Sequence, residues 1–565
     1  MMPHRLFVSI IVVSLIACPA RSATRDPARS DKAMVATAHP LATEAALQIL
    51  RKGGNAADAA AAAALAISVV EPYSAGIGGG GFALVHDKAK GQTRALDFRE
   101  RAPLAAHRDL YLDGKGQVID DASVTGHRAA AVPGTLAGLE ALVREHGTQS
   151  LAEVAAPAID LAQNGFVVTP HFRHAVISRL DDLKKDPGAR DAFLVDGKPP
   201  EVGNLLLQRD LASTLRLVAK QGSKAFYSGE LAQAVVADMA ENGGLITAQD
   251  LKSYQPSWRE PARLRYRGHD VLTMPLPSSA GVVLAEVLGL LERDATSTRP
   301  YHDLRSLHVY IEACRRAYAD RARDLGDPAF LRGSIAGLTT SQRLDAQYRS
   351  IQSQARTPSE QLGVVGTPPL KDRPHTTHLI VVDSKGNAVS MTFTVNTVFG
   401  AAVVVPGTGI LLNNEMDDFS VKPGTPNSYG LVGAEANAIA PAKIPLSSMA
   451  PTLVFEGSRL KLVIGSPGGS TIPTTVIQIL VHVLDDRMNV EQAVAAPRVH
   501  HQWLPDLVHV EPNGLDPETR RALTAYGHTL VEREPWGNAM AVQLFEDGHL
   551  EGAADPRGEG VARGL

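Results

Sequence analysis

The stretch from Thr376 to Asn396 constrains this chain more than any other. Residues 379–382 and 388–395 are dense in β-branched side chains, and Ser384-Lys-Gly-Asn387 between them is turn chemistry. Two paired strands are therefore expected, with Thr376 at the entry of the first. The segment before it, residues 353–374, holds four prolines and two glycines with no sustained apolar period, which reads as a loop or linker. A cut between His375 and Thr376 would give the threonine a free α-amino group, and an amine with a pKa of about 8 accepts the proton of its own hydroxyl at neutral pH. One residue would then be nucleophile and base together. Taken alone, Thr-Thr-His also opens an ordinary strand, and the local pattern leaves both readings standing.

Further blocks follow in order: Asn387-Ala-Val389, Thr394-Val-Asn396, Gly409-Ile-Leu-Leu-Asn-Asn-Glu-Met-Asp-Asp-Phe419, Pro445-Leu-Ser-Ser-Met449 and Gly465-Ser-Pro-Gly-Gly-Ser470. Upstream stand Gly76 to Phe82 and Asp97-Phe-Arg-Glu100. Together with Thr376-Thr-His378 they resemble the γ-glutamyltranspeptidases, glutathione-processing members of the N-terminal-nucleophile hydrolases. The resemblance implies an α+β fold, a four-layer αββα sandwich. It also implies a precursor processed into a large subunit, 23–375, and a small subunit, 376–565, which form one αββα unit as a heterodimer.

A γ-glutamyl amide carries a free α-carboxylate and α-ammonium beside an uncharged scissile amide, so a selective site needs a fixed cation, carboxylates, a nucleophile and oxyanion donors. By resemblance, the bond between His375 and Thr376 is the autocleavage point, Thr376 is the nucleophile, and Thr394 orients it. Gly468 and Gly469, just before a helix, are matched to the oxyanion donors, although a loop needing positive φ explains the same residues. Asn396, Glu415 and Asp418 match positions that hold the donor's charged groups, and Arg99, Ser447 and Ser448 match positions around its α-carboxylate. Many bacterial members carry glutamine where Glu415 stands. Residues 420–442, with Tyr429 inside, resemble a lid loop over the donor pocket. The implied substrates are glutathione and other γ-glutamyl compounds, with water, amino acids or dipeptides as acceptors.

The N-terminus reads as an export signal: a short basic start, an apolar run over 6–17, and small residues before a cut after Ser22. A secreted, periplasmic protein follows from that reading. Leu15-Ile-Ala-Cys18 also resembles a lipoprotein processing site, an alternative weakened by Pro19. Cys314 would be the single cysteine after cleavage, which excludes an intramolecular disulfide. With a net charge of −4 and scattered basic residues, nucleic acid is not an expected partner. His500-His501 and Asp417-Asp418 lack metal-ligand spacing, so neither metal nor cofactor is expected. Gly76-Ile-Gly-Gly-Gly-Gly81 follows a helix and enters a strand, the wrong order for a dinucleotide turn.

Elsewhere helices are expected over 42–52, 55–70, 134–145, 151–163, 209–221, 231–241, 280–292, 304–325, 471–485, 489–496 and 517–526. Strands are expected over 34–38, 82–86, 93–98, 270–274, 452–455, 461–464 and 507–510, with a final hairpin over 539–551. No stretch of transmembrane length appears. Two other functions fit parts of this pattern. One is a related amidase for another acyl group, such as a cephalosporin acylase, which would not need the carboxylate clamp of Arg99, Ser447 and Ser448. The other is a periplasmic solute-binding protein, which would remain one chain on a denaturing gel.

Overall fold

A computed structural model describes residues 26–294, 303–363 and 375–565. The export signal, Cys18 and residues 364–374 of the expected linker lie outside the described residues. Two seven-stranded sheets form the centre. The first runs in the order Val561–Gly564, Met34–Thr37, Thr377–Val382, Ala388–Thr394, Gly80–Asp87, Gln92–Phe98, Ser257–Arg259. The second runs Ala28–Ser30, Leu550–Ala554, Met540–Leu544, Arg459–Gly465, Thr452–Glu456, His269–Thr273, Ala262–Tyr266. Strands Thr377–Val382 and Ala388–Thr394 face Met540–Leu544 and Arg459–Gly465 across the interface, so the sheets pack face to face. Helix Ala56–Val70 covers the outer face of the first sheet, and helices Ala280–Arg293, Ile472–Leu484 and Val490–Ala495 cover the second. The architecture is the four-layer αββα sandwich.

Local chemistry explains the elements that hold the central hairpin. Asn55 caps helix Ala56–Val70 with a reciprocal box: its side chain accepts from the Ala57 and Asp58 N–H groups, while Asp58 accepts from the Asn55 N–H. Every residue of that helix is buried, and its alanines let it lie close on the sheet. The hairpin pairs Thr377 with Phe393 and Val382 with Ala388, burying all its strand residues. The glycine run is a close approach. A Cβ at Gly79 would come within 1.9 Å of the Thr394 carbonyl oxygen, and one at Gly78 within 2.0 Å of the Leu411 oxygen.

Several expectations need correction. The hairpin over 539–551 is not the last element, because Val561–Gly564 returns to pair with Met34–Thr37 at the edge of the first sheet. Strands Ser257–Arg259 and Ala262–Tyr266 interrupt the helical half, and helix Pro170–Ser178, capped by Thr169, was not expected. Residues 353–363 are anchored rather than a free linker. Ser359 is fully buried, donates to the Trp503 carbonyl at 2.8 Å and accepts from Arg315 at 2.6 Å. Its hydroxyl is satisfied by protein groups on both sides, a condition that composition reads as solvation.

Candidate active site

Thr376 enters strand Thr377–Val382 with 7% of its surface exposed. Its hydroxyl donates to the His375 carbonyl at 2.7 Å. Thr394, across the hairpin, donates to the same oxygen at 3.1 Å and lies 3.2 Å from the Thr376 hydroxyl. The Asn396 N–H in turn holds the Thr394 oxygen at 2.8 Å. Two hydroxyls on one carbonyl draw density from its carbon, the atom a neighbouring oxygen would attack.

Thr376 borders two cavities. The smaller, with about 20 Å³ of free space, is lined by Arg99, Asn396, Glu415, Asp418, Ser447, Ser448 and Gly469, so the candidate donor-binding residues converge on it. The larger, about 370 Å³, is lined by Glu71, Tyr73, His171, His375, Gly468, Trp536 and Glu559.

Arg99 dominates the small cavity. It is 1% exposed, and its guanidinium pairs with Glu415, with Asp418 at 2.5 Å and with Glu100 at 3.5 Å. These carboxylates hold its proton more firmly than usual despite burial. Burial pushes the Glu415 carboxyl well above the usual carboxylate range, with Arg99 opposing, and raises Glu100 to about 7. The acidic pair splits: Asp418 faces the cavity, whereas Asp417 accepts from Ser123 at 2.7 Å and from the Ser428 N–H. Asn396 adopts φ +78° and donates to the Asn414 carbonyl at 2.9 Å. Tyr429, 4% exposed, donates its hydroxyl toward the Asn396 side-chain oxygen at 2.6 Å, so the 420–442 segment closes this side.

Gly468 and Gly469 take φ of +134° and +56°, a backbone that favours glycine, and the pair opens the turn Gly469–Thr471 leading into helix Ile472–Leu484. The Tyr429 ring lies where a Gly469 side chain would be, with a Cβ there 2.4 Å from the ring.

Two residues escaped the sequence reading. Arg321 lines the small cavity and donates to Ser448 at 3.2 Å. The signal was present but ambiguous, since helix Leu304–Asp324 is rich in charge and charges on a helix ordinarily read as a solvated face. Glu71, just past the alanine helix, accepts from the Thr377 hydroxyl at 3.0 Å, and burial raises its carboxyl to about 8. Cys314 is buried with its thiol pushed up to about 12, a packing residue. Among the described residues, no three His, Cys, Asp or Glu side chains converge as metal ligands, and no helix is long and apolar enough to cross a membrane.

Residues 42–565 match the family model described as Gamma-glutamyltranspeptidase. The chain is 41% identical over 539 residues to a glutathione hydrolase proenzyme of Escherichia coli, covering 94% of this chain and 91% of that one. It superposes on a cephalosporin acylase from Bacillus halodurans with a TM-score of 0.85 at 29% identity, covering 99% of both chains. It also matches a Helicobacter pylori γ-glutamyltranspeptidase with a TM-score of 0.56 at 38% identity, over 58% of this chain and 95% of that one. By the family model across nearly its whole length and by relatives of this identity and coverage, the chain belongs to the γ-glutamyltranspeptidase family.

Proposed function

We propose that this protein is an exported precursor that cuts itself between His375 and Thr376, leaving a large subunit, 23–375, and a small subunit, 376–565. The Thr376 oxygen attacks the His375 carbonyl carbon, the C–N bond breaks as nitrogen gains a proton, and water hydrolyses the resulting ester. Thr376 then carries a free α-amine, which takes the hydroxyl proton in each later turnover. The new nucleophile attacks the γ-carbonyl of glutathione or another γ-glutamyl amide, with Thr394 orienting it and the N–H groups of Gly468 and Gly469 receiving the oxyanion. The acyl-threonine passes its γ-glutamyl group to water, or to an amino acid or dipeptide.

The observation that carries this reading is the position of the Thr376 hydroxyl, bonded to the scissile carbonyl beside a pocket holding Arg99, Glu415 and Asp418. A zwitterionic donor head matches such a pocket: its ammonium suits Asp418, Glu415 and Asn396, and its carboxylate suits the cationic side with Ser447 and Ser448. An acylase for an uncharged acyl group would have no use for these buried charges, whose desolvation costs several kcal/mol per ion. Intact mass of purified protein, followed by turnover of a γ-glutamyl anilide with and without a dipeptide acceptor, tests the proposal. A chain that stays whole, or two subunits inert toward the anilide, would refute it.

A further inference from the structure

One short loop touches the chain on both sides of the His375–Thr376 bond. Helix Ala56–Val70 ends at Glu71, and Glu71, Tyr73 and Ser74 line the larger cavity together with His375 and Thr376. On the near side of the bond, the Tyr73 ring meets the His375 ring edge-on, with centroids 5.8 Å apart. On the far side, Glu71 accepts from the Thr377 hydroxyl at 3.0 Å. Its other carboxyl oxygen accepts from the Ser74 hydroxyl at 3.2 Å. Both Glu71 and Tyr73 are buried. The loop is itself braced. The Ser74 and Ala75 N–H groups donate to the Glu71 carbonyl at 3.0 and 3.3 Å, and the Tyr73 and Ser74 carbonyls accept from the N–H groups of Phe399 and Val395 at 3.1 and 3.2 Å. Val395 directly follows Thr394, whose hydroxyl holds the His375 carbonyl. The Tyr73 ring also stands edge-on to Phe172 and Phe399, with centroids 5.9 and 6.1 Å apart.

Attack by a hydroxyl on the carbonyl one residue back demands close control of a single peptide unit, because a displacement of about 1 Å costs about two decades in rate. The Thr376 and Thr394 hydroxyls engage the carbonyl oxygen, but the residues flanking the bond must be held by other groups. We propose that Tyr73 and Glu71 are positioning residues for self-cleavage: Tyr73 sets His375, and Glu71 sets Thr376 through Thr377, so that one braced loop clamps the peptide unit between them. This rests on the self-cleavage reading above and adds to it a device that acts before the cut. Once the bond is broken, His375 no longer belongs to the chain of the nucleophile, and Tyr73 holds a chain end instead of a reacting group. The contact of Tyr73 with His375 therefore weighs more on maturation than on turnover.

The test follows full-length precursor, made by cell-free translation, on a denaturing gel over time. Tyr73→Leu should slow the appearance of the two subunits by about tenfold or more, and so should Thr377→Val. Tyr73→Phe, which keeps the ring, and Thr377→Ser, which keeps the hydroxyl, should cleave close to the wild-type rate. Glu71→Ala combined with Thr377→Val should slow cleavage about as much as either change alone, since both remove the same contact. Protein left to mature fully is then assayed with a γ-glutamyl anilide, and in Tyr73→Leu kcat/KM should fall by less than the cleavage rate does. Equal losses in cleavage and turnover would reduce Tyr73 to packing and overturn the proposal, as would wild-type cleavage rates in Tyr73→Leu or Thr377→Val. If Tyr73→Leu does not fold, the two Thr377 variants decide, and equal cleavage rates in them overturn it. A wild type that stays whole would instead overturn the self-cleavage reading itself, and the proposal with it.

Discussion

The two cavities that meet at Thr376 are both lined by ionisable groups, yet the groups that stand against burial differ between them. On the Arg99 side, desolvation is opposed by partners at ion-pair distance, and the guanidinium keeps its charge. On the Glu71 side the partners are hydroxyls and rings. Burial there lowers His375 and nearby His39 to about 4 and raises Glu71 to about 8, so near neutral pH these groups are largely uncharged. One side of Thr376 therefore holds a charged guanidinium in ion pairs, and the other holds groups that burial keeps largely neutral near pH 7. Burial is the main cause of the shifts at Glu71, His375 and Glu415, whereas at Arg99 the neighbouring carboxylates outweigh it.

The largest effect should come from the residue both sides share. Thr376→Ala should remain a single chain of precursor mass and show no turnover; two bands on a denaturing gel would remove Thr376 from the cleavage step. Arg99→Lys should still process itself but lose about 1.5–3 kcal/mol of transition-state stabilisation, roughly one to two decades in kcat/KM, because an ammonium cannot replace a fork serving Glu415 and Asp418. Steady-state kinetics on a γ-glutamyl anilide would show it, and wild-type values would mean the fork is dispensable.

On the other side, pH is the probe. The Glu71 carboxyl titrates higher in the folded protein than in the unfolded chain. The native state thus binds the extra proton between about 4.5 and 8, and Glu71 weakens the fold increasingly across that window before levelling off. Glu71→Gln removes this penalty, so its melting temperature should gain on wild type as pH rises from 5 to 8. The gain is at most about 1.4 kcal/mol per pH unit. Parallel pH curves would mean that Glu71 is ionised in the fold.

Tyr429→Phe should cost about 0.5–1.5 kcal/mol in kcat/KM, since one hydroxyl bond to Asn396 is lost while the ring still covers Gly469. The smallest change is Cys314→Ser, which should leave kcat unaltered; a folded, processed variant without turnover would implicate the thiol.

The site residues were named by resemblance, but several elements that hold them were legible in the sequence for a physical reason. The central hairpin, the cap at Asn55 and the turn at Gly468-Gly469 depend on near neighbours, and near neighbours are what a sequence displays. Helix Leu304–Asp324 shows the limit. Its Glu312, Arg315, Arg316, Asp320 and Arg321 look like a solvated face, but nearly all of the helix is buried. Glu312 pairs with both Arg315 and Arg316, and Asp506, nearly two hundred positions away, closes the Arg315 pair. Strand Val561–Gly564 was illegible for a similar reason: its short Val-Ala-Arg-Gly run has little β character of its own and is fixed by pairing with Met34–Thr37.

That pairing bears on what happens after the cut. In the first sheet, strands from before and after Thr376 alternate: Val561–Gly564, then Met34–Thr37, then the central hairpin, then Gly80–Asp87. Each product of the proposed cut would hold only part of a hydrogen-bonded ladder. The precursor can fold as one molecule at a rate independent of concentration, but the severed chains, once unfolded, must find each other again. Cleavage there would thus turn a unimolecular transition into a second-order encounter between two incomplete sheets. The matured enzyme lasts as long as its barrier to unfolding holds.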